Sequence, residues 1–221
     1  RGEVEDPESR LLLLREVFRM TIAVGIFLFE DVEVLDFAGP FEVFTTASRV
    51  FLRQNPGKAA PFKVFTVAKA MGAVRARAGL KALPDFSMDD CPRIDLLLVP
   101  GGVVDAEVGD ESVISWVRTT AAGAQLVASV CTGAFILAKA GLLHQKRATT
   151  HWEDIDDLRM QFPGVQVQGG VRWVDEGPVV TSAGIAAGID MSLHLVARLA
   201  GSQLAEATAR QMDVPYRSEA S

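Results

Sequence analysis

The strongest constraint on the fold is a set of short, near-continuous apolar runs at residues 21–29, 95–99 and 125–130, each closed by a polar or glycine-bearing turn, with a further strand at 62–67. Strands with one wet face alternate apolar and polar residues. Runs without alternation suit strands covered on both faces, as in a parallel sheet flanked by helices. Helical patterns lie between them. Pro40 is placed to open one in which Phe41, Phe44, Ala47, Ser48 and Phe51 recur at helical spacing, and Gln54-Asn55-Pro56-Gly57 ends it. Residues 110–122, 132–140, 185–200 and 203–212 read as further helices, with a shorter one up to Met160. Residues 74–80 alternate like an exposed strand opening a small hairpin, and 165–168, 171–175 and 179–181 complete the strands.

Strands and helices alternating through short loops predict an α/β fold, a three-layer sandwich around a mostly parallel sheet. With 221 residues, 49% of them hydrophobic, the chain can bury one substantial core. No linker-like stretch divides it. The expected organisation is one domain over residues 21–212, a peripheral N-terminal segment at 1–20 and a tail at 213–221. Four leucines at 11–14, flanked by Arg10 and Arg15, read as a short peripheral helix; a long apolar core and a small-residue cleavage site are missing, so no signal peptide is expected.

Composition narrows the partners. A net charge of −6 without a dense Lys/Arg run argues against nucleic acid. No apolar stretch is long enough to span a bilayer, so no membrane partner is expected. Two cysteines, Cys91 and Cys131, form neither a disulfide framework nor a CxxC site, which fits a reducing cytoplasm. His144, His151 and His194 are not spaced as a cluster, so neither a metal nor another cofactor is expected.

The chemistry-bearing residues gather around Cys131. A buried-strand run ends at this cysteine, Thr132 and Gly133 follow, and helix resumes. That is the layout of an elbow, in which a sharp strand-to-helix turn lifts one side chain clear of the sheet. Beside a helix N-terminus the thiol pKa is expected to fall; the alternative is a small core residue closing a strand. Pro100-Gly101-Gly102 ends another strand, and an N–H of Gly101 or Gly102 is expected to join that of Thr132 in an oxyanion-type hole. Asp36 sits in an apolar frame, so either desolvation raises its pKa and makes it a proton donor, or it is a helix N-terminal acid satisfying backbone N–H groups. His151 is either a partner of the cysteine or a cap for the following helix with Trp152 as core. His144 and His194 read as bystanders, and Cys91, before Pro92, as structural.

Taken together, these residues resemble the ThiJ/PfpI superfamily, cysteine-bearing relatives of class I glutamine amidotransferase domains. The resemblance spans about residues 21–200. It rests on Leu35-Asp36-Phe37-Ala38-Gly39-Pro40, Val99-Pro100-Gly101-Gly102, Ser129-Val130-Cys131-Thr132-Gly133, Ala148-Thr149-Thr150-His151-Trp152, and Thr181-Ser182-Ala183-Gly184 leading to Gly188-Ile189-Asp190. It implies a flavodoxin-like sandwich and a homodimer. Protease-like members carry a histidine directly after the cysteine; here Thr132 stands there, which argues against peptidase activity. With Asp36 as the acid, the pattern is similar to two groups, isonitrile hydratases and the ligand domain of AraC-type regulators. The sequence holds no helix-turn-helix domain, so the expectation is a cysteine-dependent enzyme acting on a small molecule, with Cys131, Asp36 and Thr132 catalytic and Gly101, Gly102 and His151 binding. The alternatives are a glyoxalase-, deglycase- or amidase-type member, or a non-catalytic ligand or redox sensor. Phe37-Ala38, the segment 48–58 and the tail after Met212 depart from the hydratase pattern and are expected to line or cover the pocket.

Overall fold

The computed structural model describes residues 21–220, so the helix expected within 1–20 lies outside the described residues. The apolar runs become the strands of a seven-stranded sheet: β1 (Ile22–Leu28), β2 (Phe62–Ala68), β5 (Phe86–Ser87), β6 (Leu96–Val99), β7 (Leu126–Val130), β10 (Trp173–Asp175) and β11 (Val179–Ser182), in the order β10-β11-β7-β6-β1-β2-β5. All neighbours pair in parallel except β10 with β11. The absence of alternation is explained directly: every residue of β6 and β7 is buried, because helices cover both faces. Two short pairs stand apart, β3 (Val74–Arg75) with β4 (Lys81–Ala82), and β8 (Arg147–Ala148) with β9 (Gln166–Val167).

The helices are α1 (Val34–Gln54), α2 (Asp105–Gly109), α3 (Glu111–Gly123), α4 (Gly133–Lys139), α5 (Ile155–Gln161), α6 (Ala187–Ala200) and α7 (Ser202–Met212). Helices α1, α6 and α7 pack on one another as one layer, and α2, α3 and α4 as another. Sequence order runs outward from β1 to β2 on one side and returns on the other side at β6. This reversal leaves a crevice at the carboxyl ends of β1 and β6, the place where open α/β sheets bind ligands.

Three local expectations change. Helix α1 starts at Val34, so Pro40 lies inside it rather than opening it. The first turn is held by burial, with Asp36 and Phe37 packed into the interior. The alternating stretch at 74–80 is not one strand: Ala78 and Gly79 adopt positive φ (57° and 88°) and fold it back as the β3–β4 hairpin. Helix α2 and strand β5 are additional elements, too short for their periodicity to register in the sequence.

Candidate active site

Cys131 directly follows β7 with φ 55°, the left-handed region that a residue with a Cβ rarely occupies. The strain is held in place from three sides. The Cys131 N–H donates to the Ser182 carbonyl (3.1 Å) on neighbouring β11. The buried Thr150 hydroxyl donates to the Cys131 carbonyl (2.8 Å), and the Ala134 N–H reaches the same oxygen (3.3 Å). Tight backbone packing fixes the turn further. A β-carbon on Gly133 would stand 2.2 Å from the Val99 carbonyl oxygen, and one on Gly101 would stand 2.7 Å from the Thr132 nitrogen. The strand–turn–helix geometry expected from the sequence is therefore present.

Asp36 is wholly buried in the first turn of α1. It accepts a hydrogen bond not from its own helix but from the Gly101 N–H (3.1 Å), across the crevice. Its other oxygen, Oδ1, is buried without a hydrogen-bond partner. Burial pushes its pKa from 3.8 up to about 7; the Gly101 N–H opposes this, Glu33 adds to it, and the Cys131 thiol and Ile185 N–H pull back without closing a bond of full geometry to Oδ1. Asp36 is thus desolvated, and its hydrogen bond goes to Gly101 rather than to the N-terminal N–H groups of α1.

The thiol itself departs from expectation. Cys131 is 8% exposed, and burial, followed by the negative charge of Asp36, pushes its pKa up from 9.0 to about 12. The Thr132 N–H, and less strongly its hydroxyl, pull the other way, and Asp154 adds to the rise. Helix α4 has only seven residues, so its N-terminal field is too weak to offset desolvation beside a carboxylate. The carboxyl therefore loses its proton first, and its charge then opposes ionisation of the thiol.

The glycine N–H groups are also differently employed. That of Gly101 is given to Asp36, and that of Gly102 to the Thr132 Oγ1 (2.9 Å), whose hydroxyl proton returns to the Gly102 carbonyl (2.8 Å). Both glycines thus clamp the acid and the threonine. The Thr132 N–H is the donor left facing the sulfur.

Cys131, Thr132, Gly102 and His151 line one cavity of about 310 Å³, with Glu33, Arg77, Glu153, Asp154 and Ile185. Asp36 and Gly101 are not in the lining. The His151 ring accepts from the Glu153 N–H (3.4 Å), so the histidine both caps the following turn and borders the cavity. Trp152, read as core under the capping alternative, is 75% exposed. His194 is engaged elsewhere, bonded to Asp175 (2.7 Å) and stacked near Trp173, and Cys91 lies in a separate groove with Arg93 and Thr119. Phe37-Ala38, the segment 48–58 and the tail beyond Met212 do not line the Cys131 cavity, contrary to expectation; Phe37 is buried in the core, and Val214, Tyr216 and Ala220 pack on it. Among the described residues no group of three or more His, Cys, Asp or Glu side chains could hold a metal ion, and no helix is long and apolar enough to cross a membrane.

Glu33, Arg77, Glu153, Asp154 and Ile185 were not singled out from the sequence. Arg77 arrives through the β3–β4 hairpin, stitched to the loop after β1 by Asp31 N–H to the Arg75 carbonyl (2.8 Å) and Arg77 N–H to the Val32 carbonyl (3.0 Å). No local pattern encodes that reach. Ile185 could have been suspected, since it directly follows the Thr181-Ser182-Ala183-Gly184 motif; it holds φ 49°, unusual for a β-branched residue.

Isonitrile hydratase of Pseudomonas putida is 36% identical over 195 residues, covering 88% of this chain and 79% of that protein. The HTH-type transcriptional regulator CdhR of Pseudomonas aeruginosa is 34% identical over 140 residues, 63% of this chain but 41% of the regulator. Among solved structures, a ThiJ/PfpI family protein from Pseudomonas syringae superposes with TM-score 0.77 at 27% identity, over 96% of this chain and 81% of that one. The mostly parallel sheet flanked by helices is thus a flavodoxin-like fold. The DJ-1/PfpI family model matches residues 22–198, and on that span the chain belongs to the DJ-1/PfpI family.

Proposed function

We propose that this protein is a cysteine-dependent enzyme of the isonitrile hydratase type, converting an isocyanide and water into an N-substituted formamide. The observation that carries the reading is the buried, under-partnered Asp36 that interacts with the thiol of Cys131, the residue lining a small cavity. A neutral thiol is a weak nucleophile, and the pair supplies its own remedy. Asp36 takes the thiol proton as the sulfur attacks the terminal carbon, and delivers it to that carbon, giving a thioimidate. Water then adds across the C=N bond, its proton going to nitrogen. The tetrahedral species collapses with rupture of the C–S bond; the formamide leaves and the thiol regains its proton. The Thr132 N–H faces the sulfur through these steps, while Gly101 and Gly102 hold the acid and Thr132 in place. The similarity to isonitrile hydratase supports this assignment of chemistry, and the homodimer implied by the family resemblance is part of it, checked by sedimentation.

The test is direct. Incubation with cyclohexyl isocyanide should yield the N-formyl amine, and Cys131→Ala should yield none; undiminished turnover by Cys131→Ala would rule out covalent catalysis. A second reading, a ligand-binding module, draws on the similarity to the transcriptional regulator. Tight isocyanide binding with no formamide formed would favour it.

A further inference from the structure

The rim of the Cys131 cavity is acidic. Glu33, Glu153 and Asp154 line it, against Arg77 and His151. Arg77 is committed to Glu33 (3.8 Å), and His151 lies between Glu153 (3.5 Å) and Asp154 (3.6 Å). A second cavity of about 360 Å³ shares Gly102, Thr132 and Asp154 with the first and brings Asp105 and Asp157, with no cation in its lining. On the other flank, the cavity that shares His151 and Ile185 carries Arg172, but that guanidinium is bonded to Asp190. A reagent approaching the sulfur therefore passes Glu153 and Asp154 beside the Glu33–Arg77 pair, and Asp105 and Asp157 add negative charge from the adjoining cavity. Inside a cleft with low-dielectric walls such a field is focused, which changes encounter rates by about 10- to 1,000-fold. The field reaches the sulfur, since Asp154 is among the charges that oppose thiolate formation at Cys131.

We infer that the Cys131 site selects substrates by charge, admitting neutral and cationic electrophiles and excluding anionic ones, with Glu153 and Asp154 as the determinants. This rests on Cys131 being the reacting residue of the proposed function, and it deepens that function. The substrate class becomes isocyanides whose substituent is uncharged or carries an ammonium group, and carboxylate-bearing isocyanides are poor substrates.

The probes are two methanethiosulfonates of similar size, one bearing a trimethylammonium group and one a sulfonate. In each, the sulfur of Cys131 attacks the sulfenyl sulfur. An S–S bond forms, the bond to the sulfonyl group breaks, methanesulfinate departs with the electron pair, and the thiol proton goes to solvent. Rates at Cys131 are read by peptide mass spectrometry and normalised to a small free thiol, with Cys91 as an internal reference outside the site. The cationic reagent should react about tenfold or more faster than the anionic one. The ratio should shrink at high salt and fall several-fold in Glu153→Gln/Asp154→Asn. Equal rates, a faster sulfonate, or labelling by neither reagent overturns the inference. A ratio unchanged in the double variant overturns the assignment to these two residues. Because labelling needs no isocyanide, a charge bias without formamide production keeps this inference and discards the hydratase reading, while formamide production without a bias does the reverse.

Discussion

Replacing Asp36 by asparagine should stabilise the protein at neutral pH while removing its activity. The carboxyl group titrates at 3.8 when solvated and at about 7 in the folded protein, where burial is the dominant cause. Well below pH 3.8 it is protonated in both the folded and unfolded chains and contributes no difference. As pH rises, the unfolded chain ionises first, so folded stability declines, and the decline is complete above about pH 7. At about 1.4 kcal/mol for each tenfold change in proton affinity, the full loss is about 4 kcal/mol. Asparagine never ionises and retains an oxygen for the Gly101 N–H now bonded at 3.1 Å. The assay is urea denaturation of wild type and Asp36→Asn from pH 4 to pH 8. The stability difference should be small at pH 4 and reach several kcal/mol in favour of the variant at pH 8. Subtracting the two profiles removes the other carboxylates, which both proteins share. A difference that stays flat across this range would refute the argument, because the buried carboxyl would then not be the titrating group. The variant's formamide production should fall by at least about 100-fold, the scale of losing a positioned acid–base group. A gain in stability with a loss of function is the expected pattern for a strained functional site.

Other expectations follow from the same geometry. The kcat/KM for an isocyanide should rise as pH increases through about 7, because below that the pair holds two protons and Asp36 cannot accept the thiol's; a profile falling through 7 would reverse the roles assigned to the pair. Thr150→Val removes the hydroxyl donor to the Cys131 carbonyl while the Ala134 N–H remains, so a loss of about 0.5–1.5 kcal/mol in stability is expected, with kcat reduced more than KM, read by denaturation and steady-state kinetics. Gly184→Ala would place a β-carbon 2.0 Å from His151 Cδ2, so the ring must move; a fall in activity with little change in Cys131 alkylation by iodoacetamide would tie His151 to substrate handling. At the sheet edge, Asp175 is held below its ordinary pKa, with His194 the foremost of the groups that lower it against the opposing effect of burial, so the stability this carboxylate contributes is present above pH 3.8 and lost as pH falls further. Asp175→Asn should flatten that acid limb.

The legible parts of this protein are those set by neighbours in sequence. Unbroken apolar runs marked strands covered on both faces, and the run ending at Cys131 before Thr132-Gly133 marked the elbow, because steric fit at a turn is a local property. Asp36 stood out for the same reason: a carboxylate framed by Val34, Leu35, Phe37 and Ala38 has to be buried somewhere. What that burial does was not local. Gly101 reaches Asp36 across 65 residues of chain, and Gly102 meets Thr132 across 30, so the glycine N–H groups are consumed by partners that only the β1–β6 crevice brings near. The sign of the thiol's titration was likewise decided in three dimensions, where desolvation and the Asp36 charge outweigh the short α4 helix. The acidic rim of Glu33, Glu153 and Asp154 comes from two loops with no shared motif. The amino-acid order determined which residues would meet at the strand ends. Charge, proton position and access were decided by packing, because electrostatic energies depend on burial and distance, and neither can be read along a chain.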